Sequence, residues 1–491
     1  MNLASLIEFH ARVRGAKSAI ESGGKSISYR ELDLSARRYA QGLRRRGVAP
    51  GDLVGLLMRD SVEHIIAALA TMRVGAVILP MDWRWKPAEI ERTIERFRPL
   101  VLVSDLPPER VDRNTMLHVL DLEHFEPDVL PCAELHDAPL VYALSSGTTG
   151  EPKAMVLTHE NMHARFVHCC SEFPLLRDDV FLMALPLAYG AARTFSLSVL
   201  CLGATMVQIS PIFEPSELVR IVNDRAVTAT FLPPNVTRAL LALGRDGENR
   251  LMPNLRLYIS GTAGLRPDER AMLRERVARH TVNFYASAAS GPATIHRDAD
   301  DSLVPASVGL PVLGIDLEVV ERDGSRVEHG ATGWVRMRGP SIAQRFAGDD
   351  PASDEGVRDG WYYPGDLGMI DENGYLHLRG RTADLINHGG VTIAAAEIEQ
   401  VLMSHPAVRE AAVVGVASPE LGEEVVAYVV LSAAADPREL VLHCRRHLAP
   451  FKVPKRAIVL DQFPRNPNGK VIKAELRQSI FASAPQPKSA S

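Results

Sequence analysis

The run Leu144-Ser145-Ser146-Gly147-Thr148-Thr149-Gly150-Glu151-Pro152-Lys153 gathers two glycines, four hydroxyls and a lysine in ten residues. Glycines let the backbone turn its N–H groups toward one point, the hydroxyls add donors and Lys153 adds a positive charge, a combination suited to a polyphosphate. The spacing is not that of a Walker A loop. Pro152 stands where the second glycine would fall, and no Gly-Lys-Ser/Thr follows, so a P-loop nucleotidase is excluded. On pattern alone a Gly/Ser/Thr linker remains the plain alternative.

Three other places carry chemistry. Trp361-Tyr362-Tyr363-Pro364-Gly365-Asp366 sets a carboxylate after a glycine turn, and Gly380-Arg381 follows the next apolar run. A carboxylate can accept both hydroxyls of a ribose, and a guanidinium can bridge to ribose or α-phosphate; an Asp in a tight turn and a surface Arg fit the local pattern as well. Pro464-Arg465-Asn466-Pro467-Asn468-Gly469-Lys470 puts a lysine on a turn, as a compact mobile charge for phosphate and carboxylate oxygens in a pentavalent transition state, or as a solvated lysine. Gly389-Gly390 precedes a helix with Glu397 and Glu399; lacking side chains, the pair lets a narrow chain pass the backbone, or serves a left-handed turn.

With its loop reading Ser-Ser-Gly-Thr-Thr-Gly-x-Pro-Lys, the chain resembles the adenylate-forming superfamily of acyl- and aryl-CoA synthetases, adenylation domains and luciferases, from about Ser5 to Leu476. It is most like an AMP-forming acyl-CoA synthetase, with Ala154 in place of the glycine that usually follows the lysine. The resemblance implies ATP, Mg²⁺ and CoA as cofactors and a small-molecule carboxylic acid of unspecified size as substrate. Phosphate binding falls to Ser145, Ser146, Gly147, Thr148, Thr149, Gly150 and Lys153, and the catalytic cation to Lys470. Adenine and ribose fall to Thr262, Ala263, Gly264, Asn283, Phe284, Tyr285, Asp366 and Arg381. The acyl pocket is drawn from Tyr189, Gly190, Ser260, Gly261 and Ala286, Gly389 and Gly390 face CoA, and the hinge is Ala383. Arg193 is read as a surface salt bridge in preference to a partner for an anionic substrate tail.

Two positions depart from the family pattern. Relatives read Tyr-Gly-x-Thr-Glu where this chain has Tyr285-Ala286-Ser287-Ala288-Ala289, so the carboxylate that helps hold Mg²⁺ is absent and the metal position is left unassigned. Ala383 stands where relatives carry the Asp or Lys of the pivot. The expected reaction is attack of a carboxylate on the α-phosphorus of ATP, rotation about Ala383, and transfer of the acyl group from AMP to CoA. An enzyme loading a carrier protein and a non-catalytic adenylate-binding protein remain the rivals. Asp301-Ser302-Leu303 is read as an accidental likeness to a carrier attachment site, and a serine hydrolase lacks its Gly-x-Ser-x-Gly.

The elements that must position these residues alternate between helical and apolar stretches. After an opening amphipathic helix, Leu53–Met58, Gly75–Leu79, Leu140–Leu144, Thr205–Ile209, Ala229–Leu232 and Leu255–Ile259 read as buried parallel strands. Ile315–Val320, Gly333–Arg338 and the hairpin turn Asp371-Glu372-Asn373-Gly374 suggest a small β subdomain at about 309–380. The helix Ala394–Leu402, strands Ala411–Val416 and Glu424–Leu431 and helix Pro437–Leu448 suggest a separate α+β domain. The fold class is thus α/β. A large N-terminal domain (1–381) of parallel and mixed sheets with helices precedes a small mobile α+β C-terminal domain (382–482), with 483–491 expected to be disordered.

Composition agrees. A chain of 491 residues, 46% hydrophobic and 23% charged, can bury more than one core. Its net charge of −5 argues against nucleic acid or an anionic membrane as partner. Arg73 breaks the most apolar region, Ile65–Pro80, below the ~20 residues a membrane span needs. Five cysteines without a Cys-x-x-Cys pair fit a reducing, cytoplasmic setting. A homodimer is left open.

Overall fold

The computed structural model describes residues 2–107, 116–122, 124–128, 131–133, 135, 137–146, 152–243, 250–262, 264–328, 330–347, 356–388, 391–418, 420–465 and 471–482. The chain divides into two compact units, one of Met1–Leu317 with Met337–Tyr362, the other of Glu318–Arg336 with Tyr363–Ser491.

The first unit is built on two sheets. One has six strands in the order Met116–His118, Val101–Ser104, Leu53–Met58, Val77–Asp82, Pro139–Ser146, Pro152–Thr158. All pairs but the last are parallel. The strand Val77–Asp82 is buried along its whole length, as its unbroken apolar run requires when helices cover a sheet. It starts two residues later than the run suggests because Gly75, at φ +85°, is the left-handed stop of the helix Val62–Val74. The second sheet has nine strands, at whose centre Leu257–Ser260 pairs in parallel with both Ala229–Phe231 and His280–Ser287. Phe173, Phe181, Phe195, Phe231 and Phe284 pack ring to ring against it, with centroids 5.1–6.0 Å apart.

In the second unit the strands Asp366–Ile370 and Leu376–Arg381 form an antiparallel hairpin. Its turn is the one the sequence suggests: Asp371 Oδ1 accepts from the N–H groups of Asn373 and Tyr375, and Gly374 takes φ +86°. Val408–Ser418 and Gly422–Leu431 then pair over ten register positions. Alternate residues face opposite ways. Val413, Val425, Ala427 and Val429 join one core with the helices Ala395–Met403 and Pro437–His447, while Val414, Val426, Tyr428 and Val430 join another with Phe463 and Leu476.

All five cysteines are free. Among the described residues no helix is long and apolar enough to cross a membrane.

Candidate active site

The strands on either side of the candidate phosphate segment 145–153 pair as a hairpin that the sequence only half reveals. Pro139–Ser146 enters as an apolar strand, and Pro152–Thr158 returns beside it, a strand that the proline and lysine at its start conceal. The register sets Ser145 opposite Lys153 and Ser146 opposite Pro152. The returning strand is held on its other side by the Val156 N–H to the Arg345 carbonyl, 2.9 Å, and the Ala347 N–H to the Ala154 carbonyl, 2.8 Å. Gly147, Thr148, Thr149 and Gly150 lie outside the described residues, as do Ala263, Gly389, Gly390 and Lys470.

A second constellation lies at the carboxyl ends of the central strands of the nine-stranded sheet, where open α/β sheets receive ligands. Ser260 and Asn283 are register partners there. Asn283 is buried, and among the described residues its Oδ1 has no hydrogen-bond partner to offset its desolvation. Thr262 takes φ +75°, a strained backbone for a β-branched residue. Gly261 is forced: a Cβ there would come within 2.5 Å of the Phe284 ring. The Phe284 ring lies in the aromatic core because strand alternation turns it to the side opposite Tyr285, and the Ser260 hydroxyl donates to the Leu232 carbonyl at 3.0 Å.

The segment Pro186–Gly190 is pinned by two acids, one at the end of and one just past parallel strands of the first sheet. Asp60 accepts from the Leu187 N–H at 2.6 Å and from Trp83 Nε1 at 3.1 Å, and burial raises its carboxyl above the usual range. The fully buried Asp82 is forked by Arg84 and hydrogen-bonded to Tyr189, whose phenol burial pushes up. Gly190 begins the helix Gly190–Leu202, and a Cβ on it would lie 3.9 Å from the Ala288 Cα, so the segments around residues 190 and 288 meet. Ala286 pairs with Pro292 just past a bulge in the neighbouring hairpin.

Arg193, one helical turn beyond Gly190, is buried and makes no surface salt bridge. It donates to the carbonyls of Ala188 (3.0 Å) and Leu187 (3.5 Å), leaves Nε without a partner, and is pushed down to about 10 by burial. Polarity alone suggested an exposed residue; the helix that carries it is covered on every side.

At position 289 the family pattern has a carboxylate that helps hold Mg²⁺, and this chain has alanine. Ala289 is buried, its carbonyl accepts from Arg165 Nη2 at 2.5 Å and from the Ala343 N–H at 3.0 Å, and its side chain carries no donor atom. A carbonyl already taken by a guanidinium and an amide does not fit a divalent cation, so these residues hold no metal at this position.

In the second unit the hairpin brings Asp366 and Arg381 face to face as cross-strand partners. Arg381 Nε donates to Asp366 Oδ1 at 3.1 Å and Nη2 to the Pro364 carbonyl at 2.9 Å. The exposed Ala383 lies in the single 3₁₀ turn Thr382–Asp384, directly after this pair. Asp384 in turn meets Lys473 (3.2 Å), which also pairs with Glu399 (2.7 Å). Asp301 is consumed by Arg270, Arg274 and His296, which leaves the Asp301-Ser302-Leu303 likeness a structural one.

The α/β fold, with large mixed sheets and helices followed by a small C-terminal domain, is that of the adenylate-forming enzymes. The chain belongs to the AMP-binding enzyme family: residues 7–346 match the model of the AMP-binding enzymes and residues 397–470 that of their C-terminal domain. It is similar to a feruloyl-CoA synthase of Amycolatopsis sp (31% identity, 95% of this chain and 97% of the relative) and to a 2-succinylbenzoate–CoA ligase of Bacillus cereus (29%, 94% and 96%). Among solved structures, ATP-bound MatB of Rhodopseudomonas palustris superposes with a TM-score of 0.88 at 28% identity, over 98% of this chain and 99% of that one. Within the family the chain is an AMP-forming acid–CoA ligase.

Proposed function

We propose that this chain joins a carboxylic acid to the thiol of CoA in two steps, with the roles of its residues as follows. A carboxylate is a poor electrophile, so its oxygen first attacks the α-phosphorus of ATP; the Pα–O–Pβ bond breaks and pyrophosphate leaves. Lys470 supplies the cation that neutralises charge on the α-phosphate and the attacking carboxylate, and the 145–153 loop cradles the triphosphate. Asp366 accepts from the ribose hydroxyls, oriented by Arg381. The unpartnered Asn283 Oδ1 accepts from an amino group of the base, which relieves its desolvation. The acid lies where Gly190 meets Ala288, walled by Tyr189.

In the second step the thiolate sulfur attacks the acyl carbon, the bond to the phosphate oxygen breaks, AMP departs and the thiol proton passes to solvent. The C-terminal domain, from residue 382, turns about Ala383 between the steps and brings Gly389-Gly390 to the thiol arm. No step is assigned to a metal at residue 289.

The register partnership of Ser260 and Asn283, with its buried unpartnered acceptor, is the observation that supports a nucleoside at this place most directly. The test is product analysis with ATP, CoA and a panel of ferulate, 2-succinylbenzoate, indoleacetate and octanoate. Equimolar AMP, pyrophosphate and acyl-CoA are expected from at least one acid. ADP and phosphate, or AMP without thioester, would contradict the reading.

A further inference from the structure

Arg165 lies two turns into the helix His159–Ser171, is 1% exposed, and among the described residues has only backbone as polar partners. Its Nε donates to the Ser341 carbonyl at 3.0 Å, and its Nη2 to the carbonyls of Ala288 (3.2 Å) and Ala289 (2.5 Å). The stem runs against Gly291, which takes φ +65°; a Cβ there would come within 2.8 Å of Arg165 Nε and 3.0 Å of Cδ. One turn earlier on the same helix, Asn161 Nδ2 donates to the carbonyls of Pro340 (2.8 Å) and Ile342 (3.1 Å). The segment 340–343 closes the arrangement through Ser341 Oγ to the Ser290 carbonyl (3.1 Å) and Ala343 N–H to the Ala289 carbonyl (3.0 Å).

A buried guanidinium is expensive, and here burial and the nearby charge of Arg193 push it down to about 9 without a carboxylate to offset either. Packing alone would be served by Met or Leu. What a guanidinium adds is a planar fork of donors that can hold several carbonyls in one geometry. Two of the three carbonyls it holds, those of Ala288 and Ala289, belong to the turn that abuts Gly190 and to the residue at which the family pattern has a carboxylate; the third, of Ser341, belongs to the segment that closes over that turn.

We propose that Arg165 is a positioning residue for the acid-binding pocket: its guanidinium fixes the Ala288–Ala289 turn against Gly190, an ordering for which the side chain of residue 289 offers no carboxylate. The inference rests on the reading that this turn lines the acid's site. Disturbing the fork therefore weakens acid binding selectively and leaves the nucleotide, read at Asn283 and Asp366 outside this turn, bound as before.

The test uses the full-length enzyme and two mild variants: Arg165→Lys keeps the charge and loses the fork, and Gly291→Ala displaces the guanidinium without removing it. In acid-dependent pyrophosphate exchange, both should raise KM for the acid about tenfold while KM for ATP and the affinity for AMP by calorimetry stay within about twofold. Hydrogen exchange without ligands is read alongside: amides of 286–290 should exchange at least about tenfold faster in the variants, with the core strand Leu257–Ser260 unchanged. Equal loss for acid and AMP, or unchanged KM values in folded variants, would overturn the proposal. If no acid supports exchange in wild-type protein, the reading of the reaction fails separately, and hydrogen exchange still decides whether Arg165 orders the turn. If neither variant folds, Arg165 is a core residue and the proposal falls.

Discussion

Arg73 and Arg165 are buried to the same degree and held in opposite ways. Arg73, in the helix Val62–Val74, is 2% exposed and meets Glu8 at 3.1 Å and Asp33 at 3.8 Å, in a network that Arg37 completes with 3.0 and 2.7 Å contacts to the same two acids. Arg165 has only carbonyls. The first arrangement neutralises charge and locks the opening helix onto the scaffold. The second leaves a net positive charge uncompensated and gains orientation of one turn. A paired buried charge is a statement about stability; an unpaired one, kept despite its cost, points to geometry that something else uses.

The largest effect that separates the two is on folding. Arg73→Met leaves Glu8 and Asp33 facing a partly buried gap and should cost about 3 kcal/mol in urea unfolding. Arg165→Met removes a desolvated charge along with its hydrogen bonds, so its cost should stay near about 1 kcal/mol, with the damage seen in KM for the acid. Equal destabilisation by both would erase the contrast.

Acid sharpens it. Burial works to raise the Glu8 carboxyl, yet Arg73 and Arg37 outweigh it and hold it below its usual range. A carboxylate with a depressed folded pKa contributes stability that is present above its unfolded value of about 4.5 and is lost as pH falls through the folded one. The stability difference between wild type and Arg73→Met should therefore shrink below pH about 4.5. For Arg165, pushed down to about 9, folded and unfolded states are both charged below that pH. Its contribution should be flat from pH 8 down to about 4, read by thermal unfolding at each pH. A third regime gives the smallest effect. The exposed pair Arg220–Asp224 at 3.0 Å should change stability by less than about 0.5 kcal/mol when Arg220 becomes Ala.

How much of this could be read in advance follows the same division. Parallel strands were legible because burial on both faces leaves continuous apolar runs, and the turn Asp371–Gly374 because Asp and Gly each have a specific job there. The strand Pro152–Thr158 was not, since a proline and a lysine at its head disguise a pairing that depends on the preceding strand. Phe284 was grouped with its neighbours although period-two alternation puts it in the core. Arg193 and Arg165 had no local signature at all. A helix shows its polar residues as exposed by default, and only the tertiary packing of 186–190, 288–291 and 340–343 reveals what those side chains hold.

The measurement closest to the centre of the account is carboxylate-dependent incorporation of labelled pyrophosphate into ATP by wild type and by Lys470→Ala. Exchange with at least one acid, lowered by about 100-fold or more in Lys470→Ala with AMP affinity retained, is the predicted result. Exchange undiminished in that variant, or none with any acid while AMP still binds, would contradict it.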